Sequence, residues 1–120
     1  MSFYVDAFVV PVPKRSGAAY RRLARKAGAV WREHGALGVV ECIADDVGWG
    51  KRTSFPRSVK LRRDEVVWVS WITFKSRRHR DAVNAKVMKD PRLASMMKPG
   101  GVPFDARRMF FGGFKAMVEM

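Results

Sequence analysis

Residues 66–74 read VVWVSWITF, a run of β-branched and aromatic residues that is typical of a buried strand. Successive side chains of an extended chain point to opposite sides of its sheet. One side receives Val67, Val69, Trp71 and Thr73, and the other receives Trp68, Ser70, Ile72 and Phe74. Both sets are mostly apolar, so the stretch predicts a central strand in a sheet that has two apolar faces.

The segments around this strand predict three further strands and two helices. Residues 4–10 are strand-like and stop at Pro11, and apolar residues recur at helical spacing from Tyr20 to Trp31. Gly35 follows as a stop signal for that helix. The remaining expected elements are a strand over 37–43, a weaker strand over 55–61, a helix from Ser76 to about Lys89 ended by Asp90-Pro91, and a strand over 109–117. The pair Gly112-Gly113 in this last strand indicates a bulge or a close backbone contact.

This order predicts a single α+β domain over residues 1–120, of the ferredoxin-like βαββαβ type with an antiparallel sheet and both helices on one face. Two helices leave the second apolar face of a four-stranded sheet uncovered. Soluble monomers seldom expose so large an apolar patch, and two-fold symmetry dominates among homo-oligomers. We therefore expect a homodimer in which the sheets of two copies face each other.

Composition limits the class of protein. Of 120 residues, 48% are apolar and 29% are charged, which is typical of a globular protein. The sequence predicts a cytoplasmic protein, because Cys42 is the one cysteine and the start of the chain lacks the features of a secretion signal. We expect no membrane partner, since no apolar run reaches the ~20 residues of a membrane helix.

Six stretches make the chain resemble the YbaA-like family, a domain of unknown function in the dimeric α+β barrel superfamily. They are YVDAFVVPVP at 4–13, HGALGVVEC at 34–42, GKRTSFP at 50–56, VVWVSWITF at 66–74, SRRHRDAVNAKVMKDPR at 76–92 and PFDARRMFFGGF at 103–114. The resemblance implies a ferredoxin-like protomer and a homodimer with facing sheets, and it implies no established activity.

Polar residues placed among apolar ones are the candidates for a pocket. Asp6 lies between apolar neighbours in the first strand, where a carboxylate must find a partner or protonate. It is either held structurally, for example by an arginine of PFDARRM, or it lines a pocket as an acid or base. His79 shares the inward face of its helix with Val83 and can move a proton near neutral pH, although a capping or partly buried histidine is the alternative.

The segment PFDARRM supplies two more candidates. Asp105 is expected to cap or to pair with an arginine, while Arg107 or Arg108 can instead hold an anionic ligand with two hydrogen bonds. Cys42 is expected to be an inert core residue. No spacing of histidine, cysteine and acidic residues predicts a metal site, and no motif predicts a cofactor.

The charge is strongly positive, with 24 Lys and Arg against 11 Asp and Glu, or +13 at pH 7. The candidate basic surface consists of Arg21, Arg22, Arg25, Lys51 and Arg52. Such a surface can bind phosphate backbones, but no nucleic-acid-binding motif accompanies it, and a solvated cationic face is the alternative.

We interpret the chain as a protein that binds a small molecule in a pocket between helices and sheet or between two copies. The candidate lining is Asp6, Trp68, Trp71, His79, Arg107 and Arg108. A cofactor-poor monooxygenase-like enzyme and a nucleic-acid-binding protein are the alternatives, and the sequence leaves all three open.

Overall fold

The computed structural model describes residues 3–120 and is built on one antiparallel sheet, in the order β2-β3-β1-β4. The strands are β1 (Tyr4–Pro13), β2 (Gly38–Ile43), β3 (Glu65–Phe74) and β4 (Phe110–Lys115). The helices are α1 (Gly17–Glu33), α2 (Phe55–Ser58), α3 (Arg77–Lys89) and α4 (Pro91–Met97). The prediction of an α+β ferredoxin-like fold is confirmed.

The two most apolar strands form the centre of the sheet. β1 pairs with β3 along its whole length, from Tyr4 opposite Phe74 to Pro13 opposite Glu65. β4 occupies the other edge of β1, and β2 the outer edge of β3. Because the register is continuous, residues that are paired across the ladders lie on the same face of the sheet in all four strands.

The first face of the sheet packs against the helices. Its buried residues form two clusters with residues of α1, α3 and α4. One contains Tyr4, Val30, Ala36, Ile72, Phe74, Val83, Val87 and Leu93; the other contains Val10, Val12, Tyr20 and Trp68. α3 begins at the predicted cap, where the Ser76 hydroxyl accepts a hydrogen bond from the His79 amide.

We call the second face of the sheet the open face, because the buried clusters that involve α1, α3 and α4 lie on the first face. The short helix α2 contacts β3, and Pro11, Val67 and Val59 are buried at the Glu65 end of this face. Glu65 lies on the same face and is buried in its pair with Arg108. The other side chains of the open face are uncharged, and they are Val5, Ala7, Val9, Pro13, Val40, Cys42, Val69, Trp71, Thr73, Phe110 and Phe114. Phe110 is 47% exposed and Phe114 is 62% exposed, so a broad apolar surface remains uncovered.

The position of Cys42 corrects the prediction of a core residue. Its side chain is exposed. Cys42 pairs with Val69 in the β2–β3 ladder, and this pairing places it on the open face. Neighbouring residues of a strand point to opposite faces, but the sequence did not indicate which of the two faces the helices cover.

The predicted weak strand over 55–61 is wrong, because this segment begins with the short helix α2. The Ser54 hydroxyl accepts a hydrogen bond from the Arg57 amide, and Pro56 occupies the first turn, where a missing N–H costs nothing. The Arg57 guanidinium donates to the carbonyls of Trp49 and Gly50, which fixes the preceding loop. These local hydrogen bonds outweigh the weak strand tendency that the sequence of residues 55–61 suggested.

The end of α3 at Asp90-Pro91 was predicted, but the helix that follows was not. Asp90 Oδ1 accepts a hydrogen bond from the Arg92 amide at 2.9 Å, so one residue ends α3 and caps α4. Pro91 then begins α4 in the position where proline suits a helix. α4 packs beside α1 and α3, and Leu93 enters the core.

Position 113, in the glycine pair that predicted a bulge or a close backbone contact, has no room for a Cβ unless Tyr4 and Arg80 shift. A Cβ there would overlap the hydroxyl of Tyr4 and come within 2.9 Å of the Arg80 guanidinium. At Gly112 a Cβ would make only ordinary contacts with the Phe114 ring. Close approach of Tyr4 and Arg80 to β4 therefore explains the second glycine of the pair.

Candidate functional site

A cavity of about 180 Å³ lies beneath α1, between the helices and the sheet. Its wall is predominantly apolar. Aromatic and methionine side chains make up much of it, and they are Phe8, Tyr20, Trp31, Phe104, Met96, Met97 and Met109. Methionine side chains adapt to the shape of a bound molecule. The polar side chains of the wall are Glu41, Ser70 and Tyr20, which lie close together.

Glu41 is the carboxyl group of this cavity. It lies on β2 with its side chain toward α1, where the Tyr20 hydroxyl donates a hydrogen bond to Oε1 over 2.9 Å. Burial raises the pKa of Glu41, and the hydrogen bonds from Tyr20 and Ser70 oppose this shift. Burial and the neighbouring carboxylate both raise the pKa of Tyr20, so its hydroxyl remains a donor.

A wider cleft of about 620 Å³, which we call the arginine cleft, lies on the outer side of the same contact between α1 and β2. Cleft and cavity share four lining residues, Ala24, Gly28, Val39 and Glu41. Small residues at 24 and 28 bring the helix close to the strand, since a Cβ at Gly28 would lie 3.2 Å from Val39 Cγ1. Glu41 is therefore in the walls of both spaces.

Three arginines of α1, Arg21, Arg25 and Arg32, line the arginine cleft. Arg32 donates to the carbonyls of Ala36 and Leu37, whereas Arg21 and Arg25 form no ion pair within residues 3–120. Trp68 also lines the cleft, and its indole Nε1 is buried without a hydrogen-bond partner in the described part of the chain. A buried donor of this kind is uncommon and calls for an acceptor.

Replacing Glu41 with glutamine is expected to alter the pH dependence of stability. The raised pKa means that the folded protein holds this proton more tightly than the unfolded chain, so the wild type loses stability as pH rises from about 4.5. An amide accepts the Tyr20 hydrogen bond and does not ionise. Urea titrations from pH 4 to 8 should show a flatter pH profile for Glu41→Gln; an identical profile would contradict the assignment.

The six residues expected to line one pocket lie in separate places. Trp68 and Trp71 are three positions apart in β3 and lie on opposite faces of the sheet, because Trp68 packs on Tyr20 while Trp71 lies on the open face. Of the six, Trp68 is the residue that lines the arginine cleft. Alternation along β3 already separated the two tryptophans, and the prediction joined them without a geometric reason.

Asp6 has a partner different from the expected one. Its Oδ1 accepts from Arg80 Nη1 at 2.6 Å, so the arginine comes from α3 and not from PFDARRM. The other oxygen lies 3.4 Å from the Asn84 amide, whose carbonyl in turn accepts from the Trp31 indole. This network ties β1, α3 and α1 together and gives Asp6 a structural contact.

His79 lies at the start of α3 in the capping arrangement that the sequence left as an alternative. Its Nδ1 accepts a hydrogen bond from the Lys75 amide at 2.9 Å, and its ring packs edge-on against Phe74. The imidazole therefore closes the turn between β3 and α3.

The two arginines of PFDARRM have different environments. Arg108 forms a buried pair with Glu65, while the Arg107 side chain is 90% exposed. Asp105 pairs with both of them, as expected for its structural role.

The five residues of the candidate basic surface are all exposed. Arg21 and Arg25 line the arginine cleft, and Arg22 lines a different cleft between α1 and the loop after α4. Lys51 and Arg52 lie in the loop between β2 and α2. Within residues 3–120, no three His, Cys, Asp or Glu side chains form a group that could hold a metal ion. No helix in the same range is both long and apolar enough to cross a membrane.

Sequence reasoning missed Tyr20, Ser70 and Glu41 as polar groups of a site. Tyr20 belongs to the apolar stripe of α1 and was counted as core. The available signal was a glutamate inside the strand GVVEC, on the same parity as Val39. That signal becomes specific only when α1 is placed over β2.

Comparison with known proteins places this architecture in a family. Residues 3–106 match the family model described as "Protein of unknown function (DUF1428)". The chain is 46% identical over 116 residues to the uncharacterized protein YbaA of Escherichia coli strain K12, covering 97% of both chains. The Shigella flexneri protein of the same name gives the same values.

Solved structures share the fold at low sequence identity. A mutant of SnoaB, a cofactor-independent oxygenase from Streptomyces nogalater, aligns with a TM-score of 0.58 at 12% identity, over 99% of this chain and 95% of that one. A dimeric ferredoxin-like protein from an uncultured marine organism gives 0.56 at 11% identity, over 99% and 96%. These likenesses show the fold, and the sequence matches show that the chain belongs to the YbaA-like family of unknown function, DUF1428.

Proposed function

We propose that this protein binds a small, mainly apolar molecule that carries a negatively charged group. The apolar part occupies the cavity beneath α1, and the charged group lies in the arginine cleft. The observation that carries the proposal is Glu41, a carboxyl group hydrogen-bonded to Tyr20 in the wall that an apolar cavity and a basic cleft share. A few convergent polar groups in an apolar cavity are typical of a ligand site.

The charges of the cleft support an anionic ligand. Arg21 and Arg25 are exposed and face a cleft whose acidic side chain is Glu41. Burial raises the pKa of Glu41, so the neutral form of this carboxyl is favoured more than it is in an exposed glutamate. The unpartnered indole N–H of Trp68 offers a donor at the same place. Guanidinium groups bind carboxylates with two hydrogen bonds, which supports an organic acid as the ligand.

Binding of 2-naphthoate tests this proposal, with naphthalene-2-carboxamide as its neutral counterpart. We expect the acid to bind about ten times more tightly than the amide, since a hydrogen bond to a charged group contributes about 1.5–3 kcal/mol. Arg25→Gln should remove most of this preference. Arg22→Gln is the matched control, because Arg22 is an exposed arginine of α1 that lines a different cleft. Isothermal titration and quenching of tryptophan fluorescence report the affinities.

The two variants also separate this proposal from nucleic-acid binding. A nonspecific phosphate-backbone interaction loses similar affinity for each removed charge. Equal losses for Arg22→Gln and Arg25→Gln, measured on duplex DNA and accompanied by no binding of naphthoate, would overturn the small-molecule proposal.

A second candidate is a cofactor-free reaction that begins with proton transfer, and the raised pKa of Glu41 favours it. A carboxyl whose pKa is shifted towards neutral pH is better suited to take a proton from a bound phenol or enol. The fold is shared with a cofactor-independent oxygenase. Oxygen uptake with 1,4-dihydroxynaphthalene that exceeds the buffer rate in the wild type, and not in Glu41→Gln, supports this reaction; equal rates exclude it for this substrate.

We also propose that a second copy of the chain covers the open face. Away from the buried pair of Glu65 and Arg108, the open face has no charged side chain, although the net charge of the chain is +13. Two copies can therefore associate through this face without bringing exposed like charges together. A ferredoxin-like neighbour is described as dimeric. Sedimentation equilibrium at micromolar concentration measures the mass directly.

A further inference from the structure

We propose that a second site, at the start of α3, binds a phosphate group, either free or as a phosphate monoester. A cleft of about 410 Å³ is lined there by Tyr4, Lys75, Ser76, Arg77 and Lys115, together with Phe3 and Gly113. This cleft shares no lining residue with the cavity or the arginine cleft. The ligand proposed for the cavity and the arginine cleft therefore does not account for this third cleft.

The hydroxyl of Tyr4 is the first observation that points to a ligand. Tyr4 is only 9% exposed, yet its hydroxyl forms no hydrogen bond with any residue in 3–120. It is not fully enclosed, because the one fully buried side-chain polar atom without a partner in that range is Trp68 Nε1. A buried ring with an unpartnered hydroxyl in the wall of a cleft offers a donor to a bound molecule.

The start of α3 provides the second observation. Ser76 occupies the amides of the third and fourth residues, since its hydroxyl accepts from His79 and its carbonyl accepts from Arg80. The amides of Arg77 and Arg78 have no acceptor among residues 3–120. Free amides and the positive end of the helix dipole together favour an anion at this position.

The charges around the cleft are the third observation. The first turn of α3 contains no acidic residue, although acidic residues normally stabilise this end of a helix. Instead Lys75, Arg77 and Lys115 line the cleft. In an empty site these cations repel one another and the positive end of the helix dipole. A bound anion with two negative charges would make the electrostatic energy of the site favourable.

Arg80 positions the Tyr4 ring beside the cleft but does not line the cleft itself. Its guanidinium lies 5.0 Å from the centre of the Tyr4 ring and is paired with Asp6 and Asp81. The attraction between the cation and the ring holds the tyrosine in position. Because Arg80 already has two carboxylate partners, it keeps its place when the ligand leaves, and the site stays formed.

The number and kind of donors indicate the ligand class. Two backbone amides, one hydroxyl and three cationic side chains suit the three terminal oxygens of a phosphate monoester, which carries about −1.5 to −2 charge at pH 7. A phosphodiester presents only two such oxygens and one charge, so a monoester should bind more tightly.

Titration with inorganic phosphate and phenyl phosphate tests the proposal, at constant ionic strength set with chloride. We expect a Kd of about 1 mM or below for at least one of them, with ¹⁵N shifts in the amides of Arg77 and Arg78. Tyr4→Phe and Arg77→Gln should each weaken binding about tenfold. Arg78→Gln is the matched control, because it keeps the amide and its side chain does not line the cleft; its affinity should equal that of the wild type.

The outcomes separate cleanly. If phosphate and phenyl phosphate bind with equal affinity, free phosphate is a sufficient ligand. If the ester binds more tightly, the ligand is a monoester. Both results support the site. Tyr4→Phe keeps the buried ring, and Arg77→Gln changes an exposed side chain, so at least one variant should remain folded. Shifts no larger than those produced by chloride, or three variants with the affinity of the wild type, would overturn the proposal.

Discussion

Replacing Arg108 with alanine is expected to lower the free energy of unfolding by about 3 kcal/mol at pH 7. Arg108 donates to both carboxylate oxygens of Glu65, at 2.8 and 2.5 Å, and also to the carbonyls of Val59 and Lys60. The Glu65 side chain is 3% exposed. The alanine variant would leave this carboxylate buried without its counter-ion, and the segment after α2 without its anchor.

The loss should depend on pH in a defined direction. Hydrogen bonding to Arg108 lowers the pKa of Glu65, so in the wild type the pair stabilises the fold above about pH 4.5 and its contribution falls as the pH drops further. In Arg108→Ala the unpaired carboxyl can protonate. The difference in stability between the two proteins should therefore be largest near neutral pH and shrink in acid.

Urea denaturation at pH 7 and pH 4 measures both effects. Arg107→Ala is the matched control, since Arg107 is the neighbouring arginine and is 90% exposed, and we expect it to change stability by less than about 0.5 kcal/mol. The double variant Glu65→Met with Arg108→Met removes both charges and should recover much of the loss. A cost below about 1 kcal/mol for Arg108→Ala, or no difference between Arg107 and Arg108, would show that the buried pair is not what anchors this end of the sheet.

Replacing Trp71 with glutamate is expected to weaken self-association by about a thousandfold, or about 4 kcal/mol. Trp71 lies at the middle of the open face, opposite Val40 on one side and Ala7 on the other. In the proposed homodimer, a carboxylate at this position would be taken out of water among apolar side chains, and two-fold symmetry would bring two such charges close together.

Sedimentation velocity from 1 to 100 µM should show the wild type as a dimer and Trp71→Glu as a monomer. Because Trp71 is partly buried within its own chain, Phe114→Glu provides a second variant at an exposed position of the same face. Met88→Glu, an exposed apolar residue of α3, is the control and should leave the dimer intact. A wild type that sediments as one chain throughout this range would disprove the assignment of the open face to a second copy.

Local sequence was a sound guide where one residue decides a local feature. Ser76 fixes the start of α3 through its own hydroxyl, and Pro91 stops the helix before it, because both effects act within one turn of the chain. The same local reasoning failed for residues 55–61, where the sequence predicted a weaker strand. There the deciding hydrogen bonds run from Arg57 back to Trp49 and Gly50, and no propensity scale contains them.

The candidate sites show the opposite balance. The sequence singled out Asp6 and His79 because they are polar among apolar neighbours, yet each is already satisfied by a nearby group, Arg80 or the Lys75 amide. It passed over Tyr20 and Glu41, which are 21 positions apart and meet only when α1 packs over β2.

The amino-acid order alone determined the α+β ferredoxin-like fold and the two apolar faces of its sheet, because side-chain alternation and helical spacing are properties of neighbouring residues. Which face the helices cover, which arginine pairs with Asp6 or Glu65, and where a carboxyl group meets a cavity were decided by the tertiary structure. Those outcomes depend on contacts between distant segments, whose partners are chosen by packing geometry and desolvation rather than by local pattern.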